Sequence, residues 1–154
     1  MAKYNAKITW QRGTQKFTDM KFVRDHEWAF DGGTKVKGTA SPHVVPPPMT
    51  DLAAVDPEEA FVASLSSCHM LTFLFFAARK GFTIDSYVDD AEGTLAKNAK
   101  GKMAMTEVVL HPKIAFSGDK QPSAADLDQL HHQAHEECYI ANSVTTNVRV
   151  EPVS

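Results

Sequence analysis

Between Ala60 and Ala78 the chain runs for 19 residues with no acid and no base other than His69. That is close to the roughly 20 apolar residues a membrane-spanning helix needs. The run also carries Ser64, Ser66, Ser67, His69 and Thr72, several of them near its middle. A helix with no polar face is more simply one enclosed by protein on every side. A 154-residue chain has difficulty enclosing such a helix alone, so the sequence predicts a partner subunit and no membrane.

The flanks fix the helix. Asp56 suits the N-cap, Pro57 the first helical position and Glu59 the third, the spacing of a capping box. Arg79-Lys80-Gly81 supplies basic residues and then glycine, a stop signal. Upstream, Tyr4, Ala6, Ile8 and Trp10 alternate with polar residues, which predicts a half-buried strand. A turn at Arg12-Gly13 leads to a second run around Phe17 to Arg24, and "EWAFDGG" reads as a third that ends in a turn. The segment after Gly38 holds four prolines, and Pro46 to Pro48 is expected to be extended. Strand patterns return over Thr83 to Leu95 and Lys102 to Phe116. A second helix capped by Ser123, with Asp126 in its first turn, precedes a last strand near Asn147 to Glu151. The order is strands, helix, strands, helix, strand, an α+β chain read as one domain over 1–154.

A net charge of −3 offers no basic field, so nucleic-acid binding lacks its usual electrostatic support. "MAKYNAKITW" holds no apolar stretch of signal-peptide length, so the cytoplasm is the expected compartment. Thiols stay reduced there, which leaves redox, metal or packing roles for the two cysteines. Cys68 lies beside His69 in the apolar helix; Cys138 follows 70 residues later in "HEECYIANSV". Each fits as a small buried hydrophobe. His131, His135 and Cys138 follow i, i+4, i+7 spacing on one helix face, a set that zinc or a small ligand would accept. The third reading is a redox pair, in which one thiolate attacks an oxidant and the second thiol resolves the sulfenic acid. That chemistry needs a nearby cation. Of four arginines, Arg79 and Arg149 have structural explanations at a helix end and an edge-like strand, leaving Arg24 in "FVRDHEW" and Arg12 beside Gly13.

"DPEEAFVASLSSCH" and "AHEECYIANSV" together resemble the two cysteine motifs of the OsmC/Ohr family, osmotically inducible protein C and organic hydroperoxide resistance proteins. Element order from Trp10 to Pro152 agrees as well. The resemblance implies an OsmC-like fold, antiparallel-rich sheets around two central helices in an intertwined homodimer. It implies a thiol-dependent peroxidase that reduces organic hydroperoxides without metal, haem or other cofactor, recycled by an external dithiol. By that resemblance Cys68 matches the peroxide-attacking cysteine and Cys138 the resolving one. Glu58 matches the family acid ten residues before the first cysteine, and Arg24 the arginine that holds the thiolate, with Arg12 as its rival. His69 stands where the peroxidase branch commonly has an apolar residue, which points to the broader OsmC-like branch. Glu58 and Cys68 would lie about 15 Å apart along one continuous helix. The acid therefore reaches the thiol only if the helix breaks or the acid comes from another subunit. Trp28, Phe30 and the Val44 to Met49 segment are the expected apolar lining.

Overall fold

The computed structural model describes residues 1–153. Its contacts divide the chain into two compact units, Met1–Ala60 and the part from Phe61 onward.

In the first unit, β1 (Ala6–Thr9), β2 (His26–Phe30) and β3 (Lys35–Gly38) form an antiparallel meander. Asp31 to Gly33 turns β2 into β3, with Gly33 at φ +87°, a region that suits glycine. β1 lies where the alternation places it, yet Ile8 is 58% exposed, so this chain does not cover its apolar face. The run from Phe17 to Arg24 is not a strand. Its aromatics turn back on Trp10 instead: Phe17 and Phe22 stack at 4.6 Å, and Phe22 meets the Trp10 ring edge-on at 5.5 Å. These aromatic residues find partners among themselves and Trp10 rather than across a sheet. Pro46 to Pro48 is also not extended: the chain turns there, and the Met49 amide donates to the Pro46 carbonyl.

α1 (Pro57–Arg79) forms as its flanks dictate. The Glu59 amide donates to Asp56 Oδ1 at 2.8 Å, and Glu59 Oε2 accepts from the Asp56 amide at 3.2 Å, so two otherwise orphaned donors are satisfied. At the far end the Phe82 amide reaches the Ala77 carbonyl across Gly81, whose φ is +80°.

In the second unit the two expected long strands each break once. β4 (Thr83–Asp89) continues into β5 (Glu92–Lys97), and β6 (Met103–Leu110) into β7 (Pro112–Ser117). β4 pairs with β7, whereas β5 and β6 pair in a separate sheet, so the chain changes sheets at both breaks. Asp89 holds the corner: its carboxylate accepts from the His111 amide and from the Ser66 hydroxyl of α1. β8 (Asn147–Val150) adds to β6 in parallel. α2 (Ala124–Glu137) begins in a capping box between Ser123 and Asp126.

α1 buries one stripe, Leu65, His69, Phe73 and Ala77, spaced by four. Phe73 and Ala77 pack with Leu130 and Ala134 of α2; Leu65 packs with Val108 and Leu110 of β6. The helix is not enclosed on all sides by its own chain, since Leu71 is 60% and Phe75 56% exposed. By length and hydropathy alone it would also pass as a membrane span.

Replacing Asp56 tests the α1 start. Asp56→Ala should lower unfolding free energy by about 1 kcal/mol, and Asp56→Asn should retain most of it, because the amide oxygen still caps. Urea denaturation followed by circular dichroism reads both.

Candidate functional site

The cysteines come together inside the second unit. Cys68 is half-buried on the middle turns of α1, and Cys138 is buried at the C-cap of α2. Both are free thiols. Cys138 has left the helical ladder, with φ −70° and ψ 112°. Its carbonyl accepts from the Asn142 backbone at 3.0 Å and from the Asn142 side chain at 3.1 Å. Its sulfur accepts from the Ala141 amide at 3.4 Å. Burial pushes the Cys138 thiol up to about 11, and a hydrogen bond with the Cys68 side chain raises it further within that figure. At neutral pH Cys138 is thus a protonated thiol with Cys68 as its partner. The Asn of "YIAN" fixes the backbone of the second cysteine, a role that sequence reading had not assigned.

Next to them lies a buried histidine pair. His69 Nε2 and His131 Nδ1 are 3.1 Å apart, with rings stacked at 5.4 Å and 6°. One imidazole donates to the other, an arrangement that requires at least one unprotonated nitrogen. Burial, foremost, brings His69 down to about 4, with the charges of His131 and His135 acting the same way. Burial likewise brings His131 to about 4, against the opposing pull of Asp128 and Asp89. His131 is therefore committed to the core. Among the described residues no three His, Cys, Asp or Glu side chains come close enough to hold a metal ion. The shared face expected of His131, His135 and Cys138 assumed a helix running through Cys138, and α2 ends at Glu137.

The first unit carries the other two expected residues. Arg24 is half-buried, just before β2, and lines an open cavity of about 380 Å³ with Ile8, Trp10, Phe22, His26 and Thr39. Its guanidinium donates to the Phe22 carbonyl and lies 3.7 Å over the Phe22 ring. Among the described residues no carboxylate pairs with it. Arg12 is exposed and donates to the Gln15 carbonyl in its own turn, away from the cavity lining. Trp28, Phe30 and Val44 to Met49 do not line the cavity; the walls come from Ile8, Trp10 and Phe22 instead. Glu58, in the first turn of α1, has a buried Oε2 with no hydrogen-bond partner among the described residues. An unpaired buried carboxylate oxygen is costly, which marks the atom as waiting for a donor. α1 runs unbroken from Pro57 to Arg79, so the helix does not break between Glu58 and Cys68.

The sequence model of the OsmC-like proteins matches residues 50–153, which include Glu58 and both cysteines. The chain belongs to the OsmC-like family. An OsmC-like protein of unknown function from Vibrio cholerae is 52% identical, covering 99% of this chain and 100% of its own, with a TM-score of 0.98. Two further OsmC-like structures share the fold at lower identity. An organic hydroperoxide resistance protein from Legionella pneumophila is 19% identical over 99% of this chain and 96% of its own (TM-score 0.68). The organic hydroperoxide resistance protein OhrB of Bacillus subtilis is 15% identical over 99% and 98% (TM-score 0.67). No curated protein matches the sequence. This OsmC-like chain has the α+β architecture of two helices and antiparallel-rich sheets seen in those structures.

The buried pair predicts an acid-sensitive core. His69 and His131 bind protons near pH 6.5 when unfolded and near pH 4 when folded, so the unfolded state holds more protons between those values. Stability should be fully present above about pH 6.5 and fall as pH drops toward about 4. Urea midpoints between pH 8 and 4 should trace that decline, and His131→Phe should flatten it.

Proposed function

We propose that this OsmC-like protein is a thiol-dependent peroxidase that reduces organic hydroperoxides through Cys68 and Cys138. The observation that carries the reading is the pairing of two reduced thiols from distant sequence, one half-exposed and one buried and protonated. The Cys68 thiolate attacks the outer oxygen of the hydroperoxide. The S–O bond forms as the O–O bond breaks, and the departing alkoxide takes a proton to leave as alcohol. Cys138 then attacks the sulfur of the Cys68 sulfenic acid. The S–S bond forms, and the departing hydroxide leaves as water with the proton that Cys138 carried. An external dithiol in the cytoplasm reduces the disulfide and closes the cycle, with no metal or cofactor required.

A thiolate needs a cation, and Arg24 is the one that lines an apolar cavity. The Glu58 oxygen without a partner is the natural carboxylate to orient it. About 15 Å of unbroken helix separates Glu58 from the thiol of its own chain. We therefore assign Arg24 and Glu58 of one protomer to the cysteine pair of a second copy in a homodimer. The uncovered Leu71 and Phe75 of α1 and Ile8 of β1 support that assembly. The apolar cavity walls favour a hydroperoxide with an alkyl or aryl body over hydrogen peroxide. The Legionella and Bacillus relatives are organic hydroperoxide resistance proteins, which agrees with this substrate class.

The cysteine variants should fail differently. After one equivalent of cumene hydroperoxide, Cys138→Ser should react once and carry a trappable sulfenic acid on Cys68. Cys68→Ser should react only at the slow rate of an ordinary thiol. Intact mass with a sulfenic-acid trap reads both, and no fast reaction in the unmodified protein would sink the peroxidase reading.

Sedimentation should show a dimer at low micromolar concentration. A stable folded monomer would count against the shared site.

A further inference from the structure

His26 is held at both ring nitrogens. The Trp28 indole donates to His26 Nε2 at 2.6 Å, and His26 Nδ1 lies 2.7 Å from the Arg24 carbonyl oxygen. An indole N–H can only donate, so Nε2 must accept and carries no proton. The ring proton is therefore on Nδ1 and is donated to the Arg24 carbonyl. The Arg24 amide in turn donates to the Met49 carbonyl at 2.8 Å. Arg24 is thus pinned on both sides of its α-carbon, and its guanidinium leaves that anchor to lie over Phe22 in the cavity wall.

The clasp also explains a glycine. Gly38 pairs with His26 across β2 and β3. A Cβ there would stand 2.5 Å from Trp28 Nε1 and 2.6 Å from His26 Nε2, inside the hydrogen bond itself. Only a residue without a side chain lets the indole and the imidazole meet at this point.

We propose that His26 is a positioning residue: through its Nδ1–H bond to the Arg24 carbonyl, with Trp28 fixing the tautomer, it sets where the Arg24 guanidinium stands. The inference rests on the reading of Arg24 as the cation that serves Cys68. Trp28 and Gly38 then act on the arginine through the histidine, and neither needs to touch substrate.

Two amide side chains separate the ring nitrogens. His26→Asn puts an N–H near the Nδ1 position and keeps a donor for the Arg24 carbonyl. His26→Gln reaches the Nε2 position and keeps a partner for Trp28 but no donor to Arg24. The full-length protein is assayed with cumene hydroperoxide and dithiothreitol, together with the pH profile of Cys68 alkylation by iodoacetamide in Cys138→Ser. Loss of one positioning hydrogen bond predicts that His26→Gln slows peroxide reaction about tenfold and moves the alkylation profile to higher pH. His26→Asn should stay within about threefold of the unmodified protein on the same scale. His26→Gln behaving as the unmodified protein, or His26→Asn losing as much as His26→Gln while melting normally, overturns the proposal. Arg24→Ala runs alongside: if it changes neither rate nor profile, the reading of Arg24 has failed and the role of His26 fails with it. If Arg24→Ala is slow and His26→Gln is not, the positioning claim alone is wrong. Should the His26 variants not fold, nitrogen-15 histidine spectra of the unmodified protein decide the matter. A His26 ring protonated on Nδ1 at neutral pH supports the proposal, and one protonated on Nε2 overturns it.

Discussion

An uncharged helix has to be covered, and the rest of this chain is arranged around that requirement. α1 receives one stripe of cover from its own chain, by α2 on one stretch and by β6 on another. The fully buried stripe uses residues spaced by four, and large side chains off that stripe, Leu71 and Phe75, are left exposed. Hydrophobic burial drives this packing, and the same term leaves an incentive for further association wherever large apolar side chains remain in water. The apolar helix and the proposed second copy are thus two sides of one physical demand.

Polar groups admitted to such a helix must be satisfied locally: Ser64 and Thr72 donate to carbonyls of α1 itself, and three others meet partners from elsewhere in the second unit. Ser66 donates to Asp89, which also secures the sheet corner; His69 meets His131; Cys68 meets Cys138. These three side chains therefore tie α1 to β4, to α2 and to the residue that caps the end of α2. The packing that makes the core hydrophobic also gives these pairs a low-dielectric setting, where an unpaired member would be costly. Burial is why Cys138 stays protonated and why the histidines stay neutral.

Much of this was legible in the sequence because the signals were local. The capping box of α1 and the Ser123 cap of α2 were both legible, and the glycine at 81 ended α1 where expected. Both cysteines and the membership of the OsmC-like family followed from two motifs. What could not be read depended on contacts across distance. The run around Phe17 to Arg24 looked like a strand, but its Phe17 and Phe22 rings pack on Trp10. The long strand patterns hid the breaks after Asp89 and Leu110, which depend on a carboxylate meeting an amide 22 residues away. Nothing in the sequence singled out Trp10 and Phe22 as walls of the cavity around Arg24, nor the engagement of Trp28 with His26. His131 read as a candidate ligand because helical spacing says nothing about a histidine waiting on another helix.

The cap position of Cys138 has a mechanical consequence. Its backbone stands outside the helical ladder, and Asn142 grips its carbonyl from two sides. The sulfur hangs from a fixed point by a single rotatable bond. Joining it to a neighbouring sulfur and releasing it again would be a swing of one side chain, with no helical hydrogen bond opened in either direction. A hinge of that kind wears out slowly: the scaffold on which it turns is the same at the beginning and the end of every stroke.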